Sequence, residues 1–195
     1  KYWTGGVAEA FKVALIKDAP LFAYLCRNAG RLRRRDEAVI ERVVRRTATL
    51  HLDHIRLGGD PFEFGAARPL DFGHWAAHKL EVLSNYRLGH GQAVAIGIAL
   101  DSCYAASQGL LTAARRDRII EALVATGLPV WDELLEERGE GGEHAVLKGL
   151  DEFREHLGGR LTITLPRGLG HKTEVHDVDM GAMSACIGFL KRAAD

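Results

Sequence analysis

The sequence predicts a mainly α-helical domain with a minor β element. Over most of the 195 residues, apolar side chains recur at the 3.6-residue period of an α-helix. Residues 161–165 instead alternate and are rich in β-branched side chains, which predicts a strand. The length suits one compact domain, and 47% hydrophobic with 27% charged residues is an ordinary globular composition. We therefore expect a single helical domain over residues 1–195.

Three helices are predicted in the N-terminal third, each followed by residues that break a helix. They cover residues 7–15, 21–29 and 36–55, and they end before Asp-Ala-Pro at 18–20, at Gly30 and before Gly-Gly-Asp-Pro at 58–61. Proline cannot donate the helical hydrogen bond, and glycine readily adopts the left-handed conformation that closes a helix. The chain is expected to be irregular up to Pro69, and another helix is expected to begin near Asp71.

The centre of the sequence contains its most apolar helix. Residues 92–107 are apolar on nearly every face, which predicts a buried central helix. Thr112 is a typical N-cap and Gly127 a typical C-terminal stop for the next helix, over 115–126. The remaining predictions are a flexible turn at 139–142 and a closing helix over 179–194.

The composition excludes several classes of protein. The 26 Lys and Arg balance the 26 Asp and Glu, so the net charge of zero argues against a nucleic-acid partner. The basic run at 31–35 is interpreted as a solvated helix end or loop. No apolar run approaches the roughly 20 residues of a membrane helix. Three scattered cysteines, Cys26, Cys103 and Cys186, form no disulfide framework, and the N-terminus lacks a signal-peptide pattern. We expect a cytoplasmic protein.

The sequence has nine histidines, and two of them have a spacing that suits metal binding. His74 and His78 lie four residues apart on one helix face, which suits a shared metal ion, or a metal ligand beside a proton carrier. His90 lies between glycines before the central helix, and Glu9 and Lys12 are one turn apart on the first helix. From the residues alone, unrelated histidines and an ordinary surface ion pair remain open alternatives.

Three segments together resemble a known family. They are GVAEAFK at 6–12, DFGHWAAHKLE at 71–81 and HGQAVAIG at 90–97, with further similarity at 59–81 and 149–166. They resemble the C-terminal, metal-binding domain of the 3-dehydroquinate synthase superfamily, the sugar phosphate cyclases, and in particular its EboD-type branch. The resemblance implies a multihelical fold over essentially the whole chain.

The resemblance also implies a catalytic metal centre. Glu9, His74 and His90 would hold Zn²⁺ or Co²⁺ and leave one coordination position open. That position would take vicinal hydroxyls of a sugar phosphate. Lys12 and His78 would be both catalytic and substrate-binding, Lys12 by contacting substrate oxygens and His78 by moving protons or holding the phosphate.

Three further residues are expected to bind substrate. Arg68 and Arg154 match carboxylate and phosphate groups, although surface arginines are the equally weighted alternative. Asp71 stands where the resemblance leads us to expect an asparagine. No residue of this chain is assigned to NAD, which the resemblance places mainly on an N-terminal nucleotide-binding domain.

The sequence departs from the family pattern at three points. The expected His-Gly-Glu reads His90-Gly-Gln92, which changes a carboxylate to an amide. The region of an expected substrate-anchoring lysine reads His51-Leu-Asp53-His54, where a second metal site is a minor alternative. Arg68 lies one position away from the place where the family pattern has an arginine before the Gly-His motif.

The nucleotide-binding domain itself has no counterpart in the sequence, because no glycine-rich loop follows a parallel strand. We therefore interpret the chain as a piece of a two-domain enzyme, inactive alone, whose partners would be the nucleotide-binding domain and a sugar phosphate. The first functional hypothesis is an NAD-dependent sugar phosphate cyclase. A metal- and NAD-dependent polyol dehydrogenase and a non-catalytic helical scaffold are the alternatives. A homodimer is also expected.

Overall fold

The structure, a computed structural model, describes residues 2–58, 71–156 and 159–194. Within these residues it consists of nine α-helices, short 3-10 helices and one two-stranded antiparallel sheet. The α-helices are α1 Tyr2–Lys17, α2 Ala19–Arg27, α3 Ala29–Arg33, α4 Glu37–Gly58, α5 His74–Leu83, α6 His90–Ser107, α7 Ala113–Ala125, α8 Lys148–His156 and α9 Met180–Ala194. The strands are β1 Ile163–Pro166 and β2 Lys172–Val175. The predicted fold class is confirmed.

Helix α6 is the centre of the domain. Its residues are buried continuously from Ala93 to Ala105, as its uniformly apolar sequence predicts. Helices α1, α5, α7 and α9 and strand β1 pack against it. A helix that is surrounded on all sides has no solvent-facing polar stripe, which explains the absence of an amphipathic pattern in this segment.

Two close contacts between glycines bring the neighbouring helices onto α6. A Cβ atom on Gly91 would lie 2.2 Å from the Cα of Gly5, so α1 crosses α6 at a point where neither helix has a side chain. A Cβ atom on Gly97 would lie 2.0 Å from the carbonyl oxygen of Gly73, so the start of α5 lies directly against α6. These contacts determine how closely the ends of three helices approach one another.

Side-chain caps mark the starts of two helices, and the cap at Thr112 was predicted. The carboxylate of Asp18 accepts a hydrogen bond of 2.9 Å from the backbone N–H of Leu21, at the start of α2. The hydroxyl oxygen of Thr112 accepts from the N–H of Arg115 at 3.3 Å, at the start of α7. Such caps satisfy N–H groups that have no partner within the helix. Because only a few residue types can do so, a cap can be predicted from the sequence. Gly127 adopts a φ of +84° just after α7, as expected for a helix stop.

Some element predictions were wrong or incomplete. Gly30 does not end a helix, because it lies inside α3, whose contacts with α4 and α7 outweigh the low helix propensity of glycine. The predicted strand pairs as β1 with β2, in the register Ile163 to Val175, and β2 was not predicted. Helix α8, at Lys148–His156, was not predicted either.

The predicted irregular stretch up to Pro69 lies outside the described residues, and Arg68 lies there with it. Helix α4 continues to Gly58, beyond the predicted end at residue 55. In the parts of the chain that are described, no helix combines the length and the apolar character that crossing a membrane requires.

Candidate metal centre

Three helices each contribute one side chain to a common point. Glu9 comes from α1, His74 from the first position of α5 and His90 from the first position of α6. One ligand-type atom from each lies within 4.8 Å of the other two. The Oε1 atom of Glu9 is 3.5 Å from Nε2 of His74 and 3.3 Å from Nε2 of His90. The structure therefore brings together the three residues that the resemblance implied as metal ligands.

The other ring nitrogen of each histidine is held by a hydrogen-bond acceptor. Nδ1 of His74 lies 3.0 Å from the carbonyl oxygen of Phe72, and Nδ1 of His90 lies 3.2 Å from Oε2 of Glu81. In the tautomer with a proton on each Nδ1, these acceptors are satisfied, and each Nε2 has a lone pair that can bind a metal ion in place of the contact with Glu9. Both lone pairs are then available at the common point, the usual arrangement of metal-binding histidines.

Glu9 is ionised and held in place by a buried lysine. Its Oε2 atom is 2.6 Å from Nζ of Lys12, whose side chain is 8% exposed. Burial acts to raise the pKa of Glu9, but the hydrogen bond with His74 and the charge of Lys12 outweigh it and lower this pKa to about 2. The carboxylate therefore has one oxygen on Lys12 and the other directed at the histidines.

The donor set fits a divalent transition metal ion. Two imidazole nitrogens and one carboxylate oxygen form a typical three-residue set for catalytic zinc, which leaves a fourth position for water or substrate. Nitrogen and oxygen donors of this kind also accept cobalt. The His74 side chain is 10% exposed, whereas those of Glu9 and His90 are 35% and 47% exposed. The open side of the site can therefore be reached from solvent.

His78 lies beside this group without belonging to it. Its ring centroid is 5.6 Å from that of His74 and 6.4 Å from that of His90. Partial burial of the ring lowers the pKa of His78, and the positive charge that His74 can carry lowers it further. The lowered pKa favours the neutral form, in which an imidazole accepts a proton. Its catalytic role stays a prediction.

Of the other predicted substrate residues, Arg154 and Asp71 are described, and neither belongs to the group of Glu9, His74 and His90. Arg154 forms an ion pair of 3.0 Å with Asp151 on its own helix, and it lines a cavity with His176 and Asp177. Asp71 is half-buried and precedes α5 by three residues. The substrate-binding roles of Arg154 and Asp71 stay predictions.

The glutamine at position 92 has a local structural role. The N–H of Gly89 donates a hydrogen bond of 3.1 Å to Oε1 of Gln92, which caps the first turn of α6. A glutamate would accept the same bond, so the change from carboxylate to amide preserves the cap that places His90. Gln92 leaves the three-residue ligand set complete.

Within the described residues, His51 and His54 belong to no group of three metal-ligand side chains, so the second metal site is not found there. In residues 2–58, 71–156 and 159–194, Glu9, His74 and His90 are the one group of three metal-ligand side chains close enough to share an ion. Asp53 instead forms an ion pair of 3.4 Å with Arg56, one turn further along α4.

Sequence reasoning missed the role of Glu81. This residue was quoted within a motif, but no function was assigned to it. It lies seven positions after His74 on α5, two helical turns along the same face, and this spacing was the available signal. Its contact with His90 depends on how α5 packs on α6, which the spacing alone does not reveal.

Glu81→Gln is expected to weaken Zn²⁺ or Co²⁺ binding by about 10- to 100-fold, because such outer partners orient a ligating histidine and raise its basicity. Competition with a chromophoric chelator measures the affinity. Glu121→Gln, on the exposed face of α7, is the matched control and should bind metal like the wild type. Unchanged affinity in Glu81→Gln would show that Nδ1 of His90 needs no carboxylate partner.

The fold and the three-residue group define a helical domain with one glutamate and two histidines placed so that they could hold a metal ion. Residues 6–140 match the family described as 3-dehydroquinate synthase C-terminal. The chain belongs to this family, and the resemblance inferred from the motifs at 6–12, 71–81 and 90–97 is confirmed.

Known relatives share this domain over nearly the whole chain. A 2-epi-5-epi-valiolone synthase from an Actinoplanes species is 33% identical over all of this chain and 49% of its own length. A 3-dehydroquinate synthase from Caldanaerobacter subterraneus is 31% identical over 85% of this chain and 45% of its own length. The chain thus spans about half the length of these relatives.

A solved structure has the same fold. ValA, a 2-epi-5-epi-valiolone synthase from Streptomyces hygroscopicus subsp. jinggangensis 5008, matches 98% of this chain with a TM-score of 0.87 and 30% identity. This chain covers 51% of ValA, whose structure contains NAD⁺ and Zn²⁺.

Proposed function

We propose that this chain is the metal- and substrate-binding domain of an NAD-dependent sugar phosphate cyclase. The observation that carries the proposal is the convergence of Glu9, His74 and His90, with both Nε2 atoms directed at Glu9 and each Nδ1 atom at a separate acceptor. Membership of the 3-dehydroquinate synthase family supports the reaction class. The reaction would comprise oxidation of a hydroxyl, elimination of phosphate, reduction and intramolecular aldol closure to a carbocycle.

Zn²⁺ or Co²⁺ is the proposed metal, held by Glu9, His74 and His90. A bound ion of this kind supplies Lewis acidity to the oxygens of a chelating substrate. The protein keeps its three ligands on three different helices, so their relative positions depend on the packed core rather than on a mobile loop. The exposed side of Glu9 and His90 is the side from which a sugar phosphate would approach.

Lys12 and His78 are the proposed catalytic residues nearest the metal ligands. The ammonium group of Lys12 has three N–H donors, and Glu9 accepts from it at 2.6 Å, so the others can contact substrate oxygens. The side chain of His78 is exposed, and its lowered pKa favours the neutral form. A neutral imidazole beside the site can take a proton from the substrate and return it.

Asp71, Arg68 and Arg154 complete the proposed substrate site. The position of Asp71 just before α5 supports a contact close to His74. Only the resemblance supports Arg68. Arg154 would have to exchange its ion pair with Asp151 for a substrate anion, which is a small cost because both partners are solvent-exposed.

The proposal assigns NAD to a separate nucleotide-binding domain. Accordingly, the isolated chain titrated with NAD is expected to give no saturable signal by calorimetry. The matching control is a titration with Zn²⁺, which should saturate at one ion per chain. A micromolar NAD site on the isolated chain would contradict the proposed division of roles between the two domains.

Turnover is the direct test. This domain joined to a nucleotide-binding domain, with Zn²⁺, NAD and a panel of sugar phosphates, is expected to release inorganic phosphate without net accumulation of NADH, because the hydride is returned. Glu9→Gln should abolish phosphate release, whereas Glu41→Gln should not, since Glu41 is exposed and pairs with Arg45 on α4. Accumulation of NADH without phosphate release would identify a polyol dehydrogenase instead. A metal-loaded protein with neither activity would indicate a scaffold.

A cytoplasmic location and a homodimer are also proposed. The three cysteines are unpaired in the structure, which supports a reducing compartment. Only the resemblance supports the homodimer, and the molar mass in solution tests it.

A further inference from the structure

A buried carboxylate joins the core of the domain to the start of α5. Asp101 belongs to α6 and is 0% exposed. Its Oδ2 atom accepts a hydrogen bond of 2.9 Å from the backbone N–H of Gly73, and its Oδ1 atom accepts one of 2.8 Å from Nε1 of Trp75. Each carboxylate oxygen therefore has an N–H partner on the same short segment.

The two donors flank His74 on either side. Gly73 precedes this ligand as the N-cap of α5, in the left-handed conformation with a φ of +78°, and Trp75 follows it. The ring of His74 is oriented in turn by its contact with the carbonyl oxygen of Phe72. Asp101 thus holds the backbone before the ligand and the side chain after it, while the ring itself has a local partner.

A buried carboxylate at this position would lower the stability of the fold if it did no more than fill space. Removing a charged group from water costs several kcal/mol, and apolar residues of similar volume are often as stabilising as buried polar ones. The residues of α6 that precede Asp101, from Ala93 to Leu100, are all small or apolar and buried. The two directional hydrogen bonds distinguish Asp101 from these neighbours, because they define where the start of α5 lies.

We propose that Asp101 is a positioning residue for the metal centre, which holds Gly73 and Trp75 so that His74 presents Nε2 to the metal ion. This inference rests on the proposed function, because it assumes that His74 is a metal ligand. Asp101 itself does not reach the metal ion, since both of its oxygens are bonded to the residues on either side of His74.

The test is Co²⁺ binding by the chain that carries Asp101→Asn. The amide keeps the size of the carboxylate, but its NH₂ group faces an N–H donor where an acceptor is needed. We expect a loss of Co²⁺ affinity of about 10- to 100-fold, as for other residues that orient a metal ligand. The visible absorption bands of the Co²⁺-saturated protein should also shift. A role in stability alone would leave the bands of the folded, saturated protein unchanged.

Two further variants keep the test decisive. Ser102→Ala is the matched control, because Ser102 is the next residue of α6, is fully buried and, within the described part of the chain, has a hydroxyl oxygen with no hydrogen-bond partner. It should keep the wild-type affinity and bands. Trp75→Phe removes one of the two donors and retains the aromatic ring, so it serves if Asp101→Asn does not fold. Weaker Co²⁺ binding with shifted bands in Trp75→Phe would support the inference.

The possible failures are distinguishable. Wild-type affinity and bands in Asp101→Asn, or in Trp75→Phe if the first variant does not fold, would overturn the positioning role and leave the metal site intact. If the wild-type chain binds no Co²⁺, the proposed metal function fails, and the inference that rests on it fails too.

Discussion

His74→Ala is expected to remove the bound metal ion from the chain. His74 is the most buried of the three proposed ligands, and its Nε2 atom is oriented by the contact of Nδ1 with Phe72. Loss of an outer partner of a ligand already costs about 10- to 100-fold in affinity, so loss of the ligand itself should exceed roughly 100-fold. Elemental analysis should find close to one zinc or cobalt per wild-type chain and almost none in the variant.

His51→Ala is the matched control for this experiment. His51 is an exposed histidine on α4, and its loss should leave the metal content unchanged. Thermal unfolding provides a second measurement, because a ligand that binds only the native state stabilises it by about 2.7 kcal/mol at 100 times its Kd. Added Zn²⁺ should raise the Tm of the wild type and of His51→Ala but not that of His74→Ala. Equal metal content in all three proteins would remove the basis for the proposed function.

Gly97→Ala is expected to destabilise the domain by about 3 kcal/mol, a large effect for one added methyl group. The new Cβ atom would lie 2.0 Å from the carbonyl oxygen of Gly73 and 2.9 Å from its carbonyl carbon, both backbone atoms that no side-chain rotation can move away. Helix α5 would have to shift from α6, which would also strain the hydrogen bond from Gly73 to Asp101. Urea unfolding measures the free-energy difference, and Co²⁺ affinity should fall together with it.

Gly6→Ala is the matched control, because Gly6 is exposed in α1 and a Cβ atom there has no neighbour within 4 Å. The same substitution should stabilise the domain by about 0.5–1 kcal/mol, since alanine loses less conformational freedom in a helix than glycine. Opposite signs for the two glycines would confirm that contact with α5, and not helix propensity, determines the effect at Gly97. Stability of Gly97→Ala close to that of the wild type would contradict the tight approach of α5 to α6.

The parts of the fold that depend on local chemistry could be predicted. Thr112 caps α7 through a hydrogen bond to Arg115, three positions away, so the predicted cap follows from the nearby sequence. Asp18 caps α2 in the same way, although residues 18–20 were interpreted only as the end of the first helix. The apolar character of α6 is likewise a property of consecutive residues. The prediction that Gly30 ends a helix was wrong, because its place within α3 depends on contacts with distant helices. Strand β2 was missed because it is stabilised by pairing with β1.

In the candidate site, too, some features could be predicted from the sequence, whereas others depend on contacts between distant residues. The family resemblance implied Glu9, His74 and His90 as metal ligands, whereas spacing alone suggested His74 with His78 and left ordinary alternatives open. The contacts that prepare these donors join residues far apart in the chain: Glu81 with His90, and Asp101 with Gly73 and Trp75. No periodicity encodes such pairs, so they appear only when the helices are packed.

The sequence by itself therefore determined that this chain is a helical domain with a buried central helix and, through its motifs, a set of candidate metal ligands, since periodicity, caps and motifs act over a few residues. Only the tertiary structure decided that the three candidate ligands meet, which nitrogen of each histidine faces the common point, and that Asp101 contacts the start of α5. The physical reason is distance along the chain. Glu9 and His90 are 3.3 Å apart only because α1 and α6 cross at Gly5 and Gly91, where no side chain separates them.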